Sequence, residues 1–333
     1  GGSGVKAQPR VPWQVKYLAL VLIWGSSFLL MKVGLEAMSP VQISALRILS
    51  GAVVLLGLHL AGGGRLPTGA RVWCHLFVCG FFLGALPFTL FAMSETRISS
   101  ALAGIGNAAT PIATVLATLA ILPGERATGR RLVAVGVGFL GVITIMQPWT
   151  ATDRPDLVGF SMALIGGASY GVGWTYNRRF LSGVDLGGLS QPTATLLTAL
   201  VLIVPFVITW ALVQPEGLAA IWAYDTAGAG DWPWLPLLCV LVLGVVGTGF
   251  AYMLQFDVVR GAGPVIGSTI TYLIPVVSVL LGVLVLGEHL GRWQLVGFAI
   301  VLGAAFVINQ RPASRPTTHA TASDVVEVPT TAR

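Results

Sequence analysis

Charge is scarce in this sequence. Of 333 residues, only 10% are Asp, Glu, Lys or Arg, while 55% are apolar and the mean hydropathy is +0.84. A soluble domain carries about 25% charged residues, so this chain cannot coat a water-soluble globule. Cysteine is nearly absent. Cys74, Cys79 and Cys239 all lie in apolar stretches, an odd set that implies no disulfide framework. The 16 Arg and three Lys are spread over many segments with no basic stripe, which argues against a nucleic-acid partner. Metal ligands are equally thin: Cys74, His75 and Cys79 do not converge on a helix, so no metal is expected. No cofactor is expected either. Gly136-x-Gly138-x-x-Gly141 has the letters of a dinucleotide fingerprint, but it sits inside an apolar helix with no strand before it. No Ser-His-acid set or HExxH motif occurs, so the chain does not read as an enzyme.

Long apolar runs are present instead. A membrane-spanning helix needs about 20 apolar residues. Ten such runs lie near 15–35, 41–60, 73–94, 98–121, 130–147, 157–177, 190–212, 233–256, 264–286 and 292–309. They lack the alternation of barrel strands. The expected fold is therefore all-α and integral to the membrane. Residues 1–14 read as a short expression remnant followed by a cytoplasmic amino terminus. Residues 311–333, rich in Ser, Thr, Pro and Ala, read as a disordered cytoplasmic tail.

Loop charge orients the chain. With the amino terminus in the cytoplasm, 14 Lys and Arg fall on the cytoplasmic side and four (Lys32, Arg97, Arg154 and Arg292) on the other. Arg47 alone lies within a helix. Basic residues accumulate on the cytoplasmic side of membrane proteins, which predicts a multi-pass protein of the cell membrane with both termini inside.

The chain also repeats itself. Pro111, Gly124-Glu125, Gly129-Arg130 and Leu140-Gly141 match Pro275, Gly287-Glu288, Gly291-Arg292 and Leu302-Gly303 with small gaps. Trp24 precedes Lys32 by eight residues, and Tyr170 precedes Arg178 by eight. Helices 1–5 (15–147) thus repeat as helices 6–10 (157–310). Five is odd, so the second copy is inverted in the membrane. Inverted repeats are the architecture of alternating-access carriers, with the solute site near the midplane between the halves.

Thr271-Tyr272-Leu273-Ile274-Pro275-Val276-Val277-Ser278-Val279-Leu280-Leu281-Gly282, running into Leu286-Gly287-Glu288, resembles the EamA family of the drug/metabolite transporter superfamily. Trp24-Gly25-Ser26-Ser27-Phe28, Arg47, Phe250-Ala251-Tyr252 and Pro123-Gly124-Glu125 fit the same family, so the resemblance spans roughly 15–310. It implies a ten-helix fold that moves a small metabolite, often outward.

Candidate site residues follow from polarity at mid-helix. Arg47 stands seven residues after Pro40, about 10 Å into its helix, where a charge is costly unless paired or facing water. It suits an anion anchor, or equally a structural ion pair with Glu36 or Glu95. Trp24, Tyr170, Trp174, Tyr252 and Tyr272 also fall at mid-helix, where their polar tips need partners. With Ser27, Asn107, Gln255 and Thr271 they form the expected substrate-binding set, although each could instead serve helix packing. Pro111 and Pro275 are expected to kink their helices and gate transport, since proline cannot donate to the carbonyl four residues back. Glu125 and Glu288 read as first-turn caps of helices five and ten. Arg47 is the only clear ionisable group expected inside the membrane, which favours facilitated movement down the solute's own gradient. An importer, an exchanger or a proton-coupled carrier of the same fold is the alternative, and a membrane receptor or enzyme is the rival class. The expected partners are a small organic solute and the lipid bilayer, with the chain a monomer or weak homodimer.

Overall fold

A computed structural model describes residues 11–310 except 148, 151, 153 and 263–269. The proposed amino-terminal remnant lies mostly, and the carboxy-terminal tail wholly, outside the described residues. All the regular structure described is helical. Among the described residues, nine helices are long and apolar enough to span a membrane: α1 Trp13–Gly34, α2 Pro40–Ala61, α3 Ala70–Ser94, α4 Ser100–Ile121, α5 Gly129–Met146, α6 Leu157–Phe180, α7 Ser190–Leu212, α8 Leu235–Gln255 and, last in the chain, α10 Arg292–Asn309. The shorter apolar helix Ile270–Leu286, here α9, completes the ten. Its sequence run begins at 264, among residues that are not described.

Local chemistry sets the ends. Pro40 occupies the first turn of α2, where its missing N–H costs nothing. Ser39 accepts from the Gln42 amide while the Gln42 side chain accepts from the Ser39 amide, a reciprocal cap. Asp156 caps α6 through the Gly159 amide at 2.7 Å. That bond, with Arg97 nearby, holds its carboxyl below the usual aspartate range. The outer faces of the bundle carry apolar side chains such as Leu22, Val53, Val133, Leu140, Leu212 and Leu284, all exposed. Lipid is their natural solvent.

Packing follows a pseudo-twofold rule. Helix α1 lies on the helix that continues α8, and its repeat counterpart α6 lies on α3. Helix α2 packs on α8, and α7 packs on α3. The self-related pairs α2–α7 and α5–α10 are both in contact. Since lipid removes most of the hydrophobic drive between helices, close approach of small residues matters more. Gly80 in α3 abuts Thr198 of α7, where an added Cβ would fall 2.1 Å from its hydroxyl. Gly244 in α8 abuts Ser50 of α2, where the same atom would fall 1.7 Å away. Each of these glycines directly precedes a π-helical stretch, Phe81–Ala85 in α3 and Val245–Phe250 in α8. Such widened turns occur often at functional sites.

Several expectations are corrected. Pro111 does not kink a continuous helix. Helix α4 breaks at Ala108–Ala109, and Pro111 sits in the first turn of the segment Thr110–Ile121. Pro275 does lie inside its helix. Glu125 and Glu288 are not in the first turns of α5 and α10, which begin at Gly129 and Arg292. Glu125 pairs with Arg178 at 3.2 Å, and Glu288 reaches across to the start of α4.

Candidate functional site

The two repeats enclose a central cavity of about 170 Å³. A buried water needs about 10–15 Å³ measured this way, so the space suits on the order of ten waters or a solute of similar size. Trp24, Ser27, Arg47, Asn107, Tyr170, Trp174, Tyr252, Gln255 and Thr271 all line it. Tyr272 does not. Its hydroxyl donates to the Ala305 carbonyl at 2.9 Å and its ring meets Phe306 edge-on, so it fastens α9 to α10.

Arg47 is the positive centre of the cavity and only 7% exposed. Its guanidinium carbon stands 3.8 Å from the centre of the Phe88 ring, and Nε donates to Thr248 Oγ1 at 3.3 Å. No described carboxylate forms an ion pair with it, which sets aside the pairing with Glu36 or Glu95. A cation held by an aromatic face and one hydroxyl keeps donors for a visiting anion. Tyr170 and Tyr252 lie within its electrostatic reach.

The π-helical stretch in α8 brings Gly247 and Thr248 to the cavity wall. The Gly247 carbonyl accepts from Trp24 Nε1 at 3.0 Å, which answers the half-buried indole's need for a partner. In α3, Leu83 of the matching stretch lines the wall. At the break in α4, Thr110 Oγ1 lies 2.8 Å from the carbonyls of both Asn107 and Gly167 and donates its one hydrogen to either. Residue-type reasoning missed Thr110, Thr248, Phe88 and Phe91. Their signal is helix geometry, which spacing alone does not reveal.

A second cavity of about 190 Å³ adjoins the first, sharing Leu83, Trp174, Tyr252 and Gln255. It extends to Asn177, Gln191, Pro192 and Thr195, at the ends of α6 and α7. The solute-sized space thus runs toward one end of the bundle, here termed the Asn177 end. The opposite end, where α3 meets α4 and α9 meets α10, is tied shut. Ser100 Oγ donates to Glu288 Oε1, and Lys32 Nζ donates to the carbonyls of Glu95 and Ile98 at 2.6 and 3.0 Å. Gln42 Nε2 turns its two hydrogens toward the carbonyls of Ala220, Ile221 and Ala223, all within hydrogen-bond distance.

Glu95 corrects a further expectation. It is 0% exposed, so Arg47 is not the sole buried ionisable residue. Its position at the end of α3 suggested solvent, but it is buried near Lys32, Arg47 and Glu288.

Among the described residues, no group of three or more His, Cys, Asp or Glu could hold a metal ion.

Comparison with known proteins adds an independent line. The model of the EamA-like transporter family matches residues 12–147 and 157–310. The chain is 25% identical over 290 residues to the "Uncharacterized inner membrane transporter YedA" of Escherichia coli K12, covering 85% of this chain and 88% of that protein. It is 21% identical over 291 residues to a "Probable amino-acid metabolite efflux pump" of the same strain, covering 87% and 92%. A crystal structure of a protein 21% identical in sequence superposes with a TM-score of 0.56 over 89% of this chain and 95% of that one, which supports the fold.

Proposed function

The chain belongs to the EamA-like transporter family and is a multi-pass membrane transporter, not an enzyme; on that premise we propose that it exports a small amphipathic carboxylate, of amino-acid metabolite type, by alternating access between its two repeats. The observation that carries this reading is the cavity between the repeats, which places Arg47 among Trp24, Tyr170, Trp174 and Tyr252. A guanidinium orients a carboxylate, aromatic walls take an apolar side group, and Asn107, Gln255, Thr110 and Thr271 offer further hydrogen bonds. The efflux-pump name of one relative agrees with both the direction and the substrate class.

In the conformation described, the cavity continues to the Asn177 end while hydrogen bonds close the Glu288 end. The 14-to-4 distribution of Lys and Arg supports a cytoplasmic Asn177 end. An exporter loads from that side. Transport then requires the Glu288-end contacts to open as the Asn177 end closes. The π-helical stretches of α3 and α8 and the broken α4 are the elements suited to that change.

An untargeted comparison of metabolites inside and outside cells with and without the protein tests the reading, followed by exchange in proteoliposomes. An amphipathic carboxylate should accumulate inside cells that lack the protein and appear in the medium of cells that have it. An unchanged metabolite profile together with no exchange by the purified protein would overturn the proposal. A binding protein without exchange would point to a receptor instead.

A further inference from the structure

One buried ionisable group stands just outside the cavity. Glu95 caps the end of α3, one turn beyond the cavity residue Phe91. It is fully buried, and neither carboxyl oxygen has a hydrogen-bond partner. A carboxylate left so would forfeit its hydration with nothing in return, whereas the neutral acid loses far less. The charged groups facing it are Lys32 from α1, Arg47 from α2 and Glu288 from the turn after α9.

Lys32 is near but not engaged with the carboxyl. Its ammonium instead caps the backbone carbonyls of Glu95 and Ile98. The second repeat shows the alternative. Asp257 lies two residues beyond the end of α8. There the carboxylate is partly exposed and paired with Lys16 Nζ at 2.6 Å. Helix α1 therefore carries a lysine toward each end, one on its acid and one beside its acid but bonded to backbone.

We propose that Glu95 is a proton-binding site coupled through Arg47 to the central cavity, so that a carboxylate solute and a proton cross together. The inference rests on the transport reading above. Arg47 is the cation that both groups share. When the cavity is empty, the Arg47 charge weakens proton binding at Glu95, and Lys32 can swing from the carbonyls to meet the carboxylate once the proton leaves. When a carboxylate solute sits on Arg47, that charge is neutralised and the neutral acid is favoured. Linkage is reciprocal, so proton loading also tightens solute binding. The proton adds to a Glu95 oxygen from water on one side and returns to water on the other. One proton accompanies each solute carboxylate, so a monoanion crosses with no net charge and a zwitterion crosses as a cation.

Two readouts on the full-length protein in liposomes test this. The first is an infrared titration of the carbonyl stretch of protonated carboxylic acids. Exposed acids are ionised at neutral pH. The wild type should show an acid band that persists at pH 7, fades on further alkalinisation and is missing from Glu95→Gln. No such band in the wild type, or an unchanged band in Glu95→Gln, would overturn the site. The second is exchange of labelled phenylalanine and phenylpyruvate, with protein-free liposomes as control. The half-saturating concentration for the wild type should rise about tenfold per pH unit above the midpoint of the band. Glu95→Gln should stay at the acidic value throughout, and Glu95→Asp should restore a pH dependence with a shifted midpoint. A half-saturating concentration indifferent to pH in the wild type would overturn the coupling even with the band present. If neither solute exchanges in the wild type, the solute reading fails, and the infrared band alone decides the proton site.

Discussion

A guanidinium cannot shed its proton inside a protein, so burying Arg47 commits the membrane interior to a permanent positive charge. Its contacts explain how that charge is tolerated: the Phe88 face on one side, the Thr248 hydroxyl on another, and the cavity beyond. Lysine can supply the charge but neither the planar stack nor the fork of donors. Arg47→Lys should therefore raise the half-saturating solute concentration about 10- to 100-fold, as expected for losing a charge-assisted hydrogen bond of about 1.5–3 kcal/mol, with expression unchanged. Solute exchange measured on equal amounts of reconstituted protein checks this. Asp156 gives a pH prediction. Its folded pKa is depressed, first by the Gly159 amide and then by Arg97. The cap therefore stabilises fully above the unfolded aspartate pKa and is lost as pH falls through the lower folded value. Melting temperatures of wild type and Asp156→Ala should differ at pH 7 and converge as the pH falls through the lowered pKa of Asp156. Nine of the ten expected solute contacts surround one cavity, since a polar or aromatic residue at mid-span has few other places to face. Tyr272 shows the limit of that logic, because a carbonyl on the neighbouring α10 satisfies its hydroxyl equally well. Glu95 shows another, because burial at a helix end depends on what packs over it.

At the scale of helices, hydropathy marks the spans well, and the period of apolar residues does not reveal where they break. The matched π-helical stretches of α3 and α8 carry no proline, and their glycines are too common in this chain to single out. Each begins directly after a glycine, Gly80 or Gly244, that presses against α7 or α2. The proline pair looks symmetric in sequence yet plays two roles. Pro111 opens a helical segment, where a missing N–H costs little, whereas Pro275 interrupts a continuous helix. Pro275→Ala should restore a backbone donor, straighten α9 and slow exchange several-fold more than it lowers the melting temperature. Pro111→Ala should change the rate by less than about twofold, because a first-turn proline forgoes no intrahelical hydrogen bond. Equal slowing in both variants would mean that the break in α4 depends on its proline.

For the whole molecule, the inverted repeat ties topology to mechanism. The first Gly-Glu turn, at Gly124-Glu125, and the second, at Gly287-Glu288, belong to opposite ends of the bundle. With Cys74, Cys79 and Cys239 replaced, cysteines introduced at Arg126 and His289 should differ in intact cells. A membrane-impermeant maleimide should label only the position at His289. Labelling at Arg126 alone would invert the assigned orientation and make the Asn177 end external.

The central claim is that one cavity between the repeats is reached alternately from the two sides. Thiol accessibility at Gln255, which both cavities share, tests it most directly. In the same cysteine-free background, Gln255→Cys should react with an impermeant reagent applied from the cytoplasmic face in everted vesicles. During solute exchange it should also react from the external face in intact cells. Reaction from one face alone under every condition, with exchange still running, would contradict alternating access through this cavity.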